Sequence, residues 1–428
     1  MNVAVLGLWH LGTVAAACLA DAGENVIAID DVEVVSSLLL GQLPVNEPGL
    51  GALTQKCVEK KTLTFSSDVS KLASADIILV AYDTPVDDED RADVAFVRTR
   101  LLAALQHAKD GAVVLISSQL PVGSTDEIAG ACEKQNAKAK LHFAYSPENL
   151  RLGRAIQCFT KPDRIVVGTT SDTARSRIEQ LYGRYCDKFI WMSPVSAEMT
   201  KHALNAYLGL SITFINEIAS ICELVGADAR DVERGLKSEE RIGDKAPLSP
   251  GAAFAGGTLA RDVAYLVQIA DSRGAKKPLL SAIKMSNEEH KKWALKRLQL
   301  ELGQLQGQVV TVLGLTYKPG TDTLRRSSSV ELCRSLKEAG AIVRAHDPAV
   351  KELPSDVSNC VELKSSLSEA LKDARAVVVA TAWPEYKEIT AADLSRIMHN
   401  PLVLDAGAFL RPTLAGAKNI KYVSVGKS

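Results

Sequence analysis

The chain has 428 residues, with 50 Lys plus Arg against 51 Asp plus Glu and a formal net charge of −1. At roughly 150 residues per domain, two or three domains are expected, and the balanced charge argues against a nucleic-acid binder, which carries a basic excess. Hydrophobic residues at 46% and charged residues at 24% are those of a folded globular protein, no uninterrupted apolar run reaches the roughly 18 residues of a membrane span, and Met1 leads into Val3 without the basic stretch of a signal peptide.

In chain order, Val3 to Leu6 reads as a buried strand, Gly12 to Ala22 as an Ala-rich helix and Asn25 to Ile29 as the next strand. Ile77 to Val80, Val113 to Ile116 and Arg164 to Val167 are further aliphatic runs bounded by polar residues. Strands alternating with helices predict a parallel sheet covered on both faces. From Ser196 to Val225 the pattern becomes one long helix stopped by Gly226, with apolar residues around much of its circumference. Helical segments follow at Asp228 to Leu236, Arg261 to Arg273 and a charged stretch from Leu279 to Leu305. Alternation resumes with a strand at Val309, a helix from Ser327 to Ala339, and strands in "AIVRAHDP", "AVVVATA" and "PLVLDA". The predicted fold class is α/β: two Rossmann-like, doubly wound parallel-sheet domains joined by a helical domain with a long central helix. The predicted domains are 1–190, 191–305 and 306–428. The eight cysteines contain no CxxC pair and the seven histidines no ligand spacing, so a cytoplasmic protein with reduced thiols and no metal is expected.

The first strand runs into Gly7-x-x-x-x-Gly12 and a helix, and Asp30 ends the second strand. Such a turn offers helix N–H groups to a pyrophosphate, and a carboxylate about 20 residues on binds the ribose of NAD while repelling the 2′-phosphate of NADP. Leu11 lies in the same turn. Trp9 stands where the middle glycine of the dinucleotide fingerprint lets the backbone approach the phosphates, so weakened NAD binding is expected.

The segments "GLWHLGTVAAACLADAGENVIAID", "DTPVD", "LPVGST", "SPENLRLGRA", "KPDRIVVG", "KHALNAYLGLSITFINEIA", "RIGDKAPLSPGAAFAGGTLARDV" and "VLGLTYKPGTDTLR" occur in order over nearly the whole chain. Together they resemble the UDP-glucose/GDP-mannose dehydrogenase family. The resemblance implies NAD in the first domain, a nucleotide sugar between the domains and a homodimer. Typical members oxidise a sugar alcohol twice, through an aldehyde to a carboxylate. It further implies catalytic roles for Lys201 and Asn205, for Asp262, for Glu148 in the hydrolytic half-reaction, and for Thr258 at the position of the family's cysteine, with Gly257 the other possible alignment. Cofactor contacts are implied for Gly7, Trp9, Leu11, Gly12, Asp30, Thr84, Pro85, Gln119 and Arg261. Substrate contacts are implied for Leu150, Arg241, Lys318 and Arg325, Arg241 reaching the sugar of a neighbouring subunit.

Departures from the family pattern are as informative. A thiolate captures the aldehyde as a thiohemiacetal on the way to a thioester; a threonine hydroxyl ionises far less readily than a thiol. Gln119 replaces the family threonine before "PVG", Asn149 and Leu152 replace a Phe and a Glu, and Gly407 replaces a C-terminal Arg. The expectation is an NAD-dependent dehydrogenase of a nucleotide sugar or related phosphorylated alcohol, working by one two-electron step. An inactive ligand-binding member and an NAD-retaining epimerase are the alternatives.

Overall fold

The computed structural model describes residues 1–85, 92–135, 139–255 and 257–427; the Val86-Asp87 end of the "DTPVD" segment and Gly256 fall outside them. The chain divides into two compact units, Met1–Ala203 and Leu204–Ser428.

The first unit is built on β1 (Asn2–Leu6), β2 (Asn25–Ile29), β3 (Leu63–Ser66), β4 (Ile77–Val80), β5 (Val113–Ile116), β6 (His142–Tyr145), β7 (Ile165–Gly168) and β8 (Phe189–Met192). They form one sheet in the order β3-β2-β1-β4-β5-β6-β7-β8. β1, β4 and β5 are aliphatic and buried on both faces, the pattern of a sheet sandwiched between helices. The pairing is parallel except at β6 and β7, which meet antiparallel through Tyr145 and Gly168, so the predicted all-parallel sheet reverses once. The first helix, His10–Asp21, packs a face of Ala15, Ala16, Leu19 and Ala20 into the core shared with β1 and β2. Small side chains let its axis come close to the sheet.

The second unit repeats the plan with β9 (Val309–Leu313), β10 (Ile342–His346), β11 (Glu362–Leu363), β12 (Ala376–Val379), β13 (Leu402–Asp405) and β14 (Lys421–Val423). Their order is β11-β10-β9-β12-β13-β14, all parallel. Numbered within each unit, both sheets carry the 3-2-1-4-5-6 order of dinucleotide-binding folds. The helices Ala229–Lys237, Thr258–Ser272, Pro278–Lys291 and Trp293–Leu302 precede this sheet, the expected charged stretch breaking at Lys292.

The long helix is Pro194–Val225, 32 residues. By length and composition it is apolar enough to cross a membrane, with a mean hydropathy of 1.5 over its best window. However, Glu198, His202, Asn205, Thr213 and Asn216 are buried along it, and each is hydrogen-bonded to protein groups. That is the pattern of a helix packed in protein. Among the apolar residues around its circumference, such as Leu208, Ile212, Phe214, Ile215 and Ile218, Phe214 is exposed whereas Ile215 is fully buried. The exposed large apolar residues along the helix are Val195, Met199, Tyr207, Phe214, Ile221, Leu224 and Val225.

Candidate active site

The turn after β1 needs glycine at both ends. Gly7 has φ +89°, and a Cβ there would lie 2.6 Å from the Tyr82 backbone; one on Gly12 would lie 1.7 Å from the Gly7 carbonyl oxygen. Trp9 has an ordinary φ of −79°, so the backbone does not require glycine there, and its indole is 50% exposed. No side chain caps the first helix, which leaves its opening turn to receive an anion. Asp30 accepts from the Leu8 N–H at 2.6 Å and the Asp31 N–H at 2.8 Å, so the acid is fixed to the phosphate turn. Its other neighbour is a cation that sequence reasoning missed. Arg100 reaches Asp30 at 3.1 Å and Asp31 at 2.8 Å, with its guanidinium 5.0 Å from the Tyr82 ring centroid. These features fit NAD: glycines that admit a close backbone, an uncapped helix start, and a carboxylate one turn away.

The loops beyond β4 and β5 are joined where the buried Thr84 hydroxyl donates to the Gln119 carbonyl at 2.7 Å. Pro85, beside it, is exposed. Glu148 lies on the loop after β6, where its carboxylate accepts from the Leu150 N–H at 2.5 Å. Lys201, 7% exposed, holds this loop: its Nζ donates to the Glu148 carbonyl at 2.5 Å and the Asn149 side-chain oxygen at 3.3 Å. A pocket of about 100 Å³ brings Leu11 together with Glu148 and Leu150, and Arg164 and Tyr182 also line it. Glu198, one turn before His202, is fully buried. It accepts from the Gly123 N–H and from the Thr125 N–H and hydroxyl, and burial pushes its carboxyl above the usual range.

In the second unit, Asn205 donates from its side-chain amide to the Asp262 carboxylate, both being buried. Asp262 and Arg261 lie in the first turns of the helix Thr258–Ser272. Thr258 is its exposed first residue. Gly257 precedes it with φ +114°, a conformation that suits glycine and offers no side chain for chemistry. Lys318, half-buried, and Arg325, exposed, sit on the loop between β9 and the helix Ser328–Glu338. Arg241 is 87% exposed and pairs with Glu239 at 2.8 Å, so within one chain it joins no cluster of the expected site residues. All eight cysteines are free thiols.

Three family models cover the chain in order. The NAD binding domain of the UDP-glucose/GDP-mannose dehydrogenase family matches residues 1–186, its central domain 195–289 and its UDP binding domain 311–412. UDP-glucose 6-dehydrogenase TuaD of Bacillus subtilis is 33% identical, covering 100% of this chain and 93% of its own. UDP-glucose 6-dehydrogenase of Rhizobium meliloti is 32% identical over the whole of both chains. The solved UDP-glucose dehydrogenase of Pyrobaculum islandicum superposes with a TM-score of 0.90 at 29% identity, covering 100% of this chain and 98% of that one. The chain therefore belongs to the UDP-glucose/GDP-mannose dehydrogenase family, a family of NAD-dependent nucleotide-sugar dehydrogenases.

Proposed function

We propose that this protein oxidises an alcohol of a nucleotide sugar with NAD and stops after one two-electron step. The observation that carries the reading is the combination of Lys201 and the buried Asn205–Asp262 pair with Thr258 at the position of the family's thiol. Lys201 and Asn205 are four residues apart on one helix, so both project from the same face. In this reading Lys201 accepts the hydroxyl proton as the C–H bond breaks. Asn205, its amide held by Asp262, donates a hydrogen bond to the oxygen on which charge develops. Bound NAD supplies the hydride acceptor, and the phosphate turn with Asp30 would hold it.

The family's second oxidation needs a thiohemiacetal. Thr258 cannot form the sulfur adduct, and no acyl-enzyme is expected to accumulate. Glu148, which the family resemblance links to thioester hydrolysis, then has no ester to hydrolyse. The product is an aldehyde or ketone; an acid would require the hydrated aldehyde to give a second hydride to a second NAD, a step expected to be slow without the thiol.

The test is to supply UDP-sugars with NAD, count NADH formed per sugar consumed, and examine the protein for a covalent adduct by mass spectrometry. One NADH per sugar and no adduct are expected, and Lys201→Ala should lower the rate by about 10²-fold or more. Two NADH per sugar with an ester on Thr258 would sink the reading. The altered residues Trp9 and Thr258 favour a second reading, an inactive ligand-binding member, which the same assay separates by binding of NAD without turnover. We also propose a homodimer in the cytoplasm. Tyr207, Phe214 and Ile221 recur every seven residues as an exposed apolar stripe on the long helix, and exposed Arg241 matches the family arginine that serves a neighbouring subunit. A monomer by light scattering at micromolar concentration would count against it.

A further inference from the structure

Glu47, just before the helix Leu50–Glu59, is 3% exposed. Its carboxylate takes three partners from two separate loops. One oxygen accepts from the Ala155 N–H at 2.8 Å. The other accepts from the Gly153 N–H at 2.8 Å and lies 3.1 Å from His10 Nε2. His10 opens the first helix, between Trp9 and Leu11, within the Gly7-to-Gly12 turn. Gly153 and Ala155 close the loop that carries Glu148, Asn149 and Leu150, whose other end Lys201 holds through the Glu148 carbonyl and the Asn149 side chain. One buried carboxylate thus bonds both the turn that fits NAD and the loop assigned to catalysis and sugar binding.

The two N–H donors at the start of the helix Ala155–Thr160 leave the carboxylate with free acceptor capacity. The imidazole is an additional partner, supplied by the phosphate turn. A buried carboxyl group bonded to both segments is held firmly, so the two segments are not positioned independently.

We propose that Glu47 and His10 are positioning residues that couple cofactor binding to sugar binding, an inference resting on the function proposed above. An anion at the start of the first helix orders its opening turn and His10 with it. The ordered imidazole fixes Glu47, and Glu47 fixes Gly153 and Ala155. Loop 147–155 is then set before the sugar arrives, so cofactor should tighten sugar binding, and by linkage sugar should tighten cofactor binding equally.

The experiment is calorimetric titration of the full chain with NAD and with UDP-glucose, UDP-N-acetylglucosamine and UDP-N-acetylmannosamine, each sugar measured with and without saturating NADH, which fills the cofactor turn but cannot accept hydride, so no turnover occurs. For the tightest-binding sugar, wild type should bind at least about fivefold tighter in the presence of NADH, the lower end of ordinary coupling. His10→Ala, a substitution at a partly exposed helix start, should bring that ratio close to one. Glu47→Gln should do the same, with thermal melting recorded to separate loss of coupling from loss of fold. A purely structural role would weaken both ligands and leave the ratio unchanged. A His10→Ala ratio equal to that of wild type, or a wild-type ratio of one, overturns the inference while leaving the proposed function standing. Failure of wild type to bind NAD and every sugar fells the proposed function and this inference with it.

Discussion

Gly7 after β1 and Gly314 after β9 occupy the same point of two similar sheets, with φ of +89° and +88°. A Cβ on Gly7 would meet the Tyr82 backbone at 2.6 Å, and one on Gly314 the Thr381 backbone nitrogen at 2.8 Å. Gly7 donates to the Ile29 carbonyl and Gly314 to the His346 carbonyl. The next N–H in each unit, Leu8 or Leu315, donates to the acid ending the second strand, Asp30 at 2.6 Å or Asp347 at 2.7 Å. Beyond that point the halves diverge. In the first, a helix starts three residues after the glycine, at His10; in the second, residues 315–327 intervene and the helix starts at Ser328. Asp30 keeps one oxygen facing Arg100 near the surface. Asp347 is 5% exposed, and one of its oxygens takes the Leu315 and Thr316 N–H groups, the Thr316 hydroxyl and the Trp383 indole N–H. The same acid at the same place meets a surface cation in one sheet and gathers several buried donors on one oxygen in the other.

The largest expected effect follows from that contrast. Asp347→Ala strands several buried donors and should destabilise the protein by about 3 kcal/mol or more, since each unsatisfied group costs roughly 1–3 kcal/mol. Its signature is a lowered melting temperature with unchanged NAD affinity. Asp30→Ala should do the reverse, weakening NAD about tenfold, or roughly 1.4 kcal/mol, with a much smaller change in melting. If both variants lost stability alike and bound NAD alike, the distinction would collapse. A smaller effect is expected at Trp9, where Trp9→Gly should tighten NAD by several-fold as indole bulk leaves the phosphate approach. Unchanged or weaker binding in isothermal titration would mean that the indole belongs to a properly built turn.

The smallest effect is shared by both halves. Burial holds His142 on β6 and His346 on β10 below the ordinary histidine range. A depressed folded value means that the neutral ring is the stabilising form. The contribution is fully present above the unfolded value of about 6.5 and is lost as pH falls through the lower folded value. Melting temperature should therefore drop between about pH 7 and about pH 5, and the double variant His142→Gln, His346→Gln should flatten that slope. An unaltered slope would assign the acid sensitivity to other groups.

The two sheets and the long helix were legible because aliphatic runs and an uninterrupted 30-residue helical pattern leave few alternatives. β3, β6, β8, β11 and β14 went unrecognised: none exceeds four residues, β3 alternates hydroxyls with apolar residues, and β6 begins with a histidine. The antiparallel join of β6 and β7 leaves no mark in hydrophobic pattern, because strand direction does not change which side chains are apolar. At the site, Asp30 could be read from its spacing after the glycine turn, whereas Glu148, Lys201, Asn205 and Asp262 were expected only from the family resemblance. Glu47 and Arg100 could be read from neither, since each acts across 70 or more residues of sequence or joins three distant segments. The pairing of Asp347 with Asp30 had a signal, an acid after each second strand, that only the repeated sheet order makes readable.

The exposed indole of Trp9 also makes the protein its own optical reporter. The chain has four tryptophans, and three have defined partners away from the phosphate turn. Arg175 lies 4.7 Å from the Trp191 ring centroid, Trp293 donates to Glu223, and Trp383 donates to Asp347. Trp9 alone among them is half exposed, two residues from Gly7. Its emission should be red-shifted relative to the others and should be the component that a nicotinamide dinucleotide quenches. Fluorescence then follows occupancy of the turn directly, whether or not any sugar is turned over.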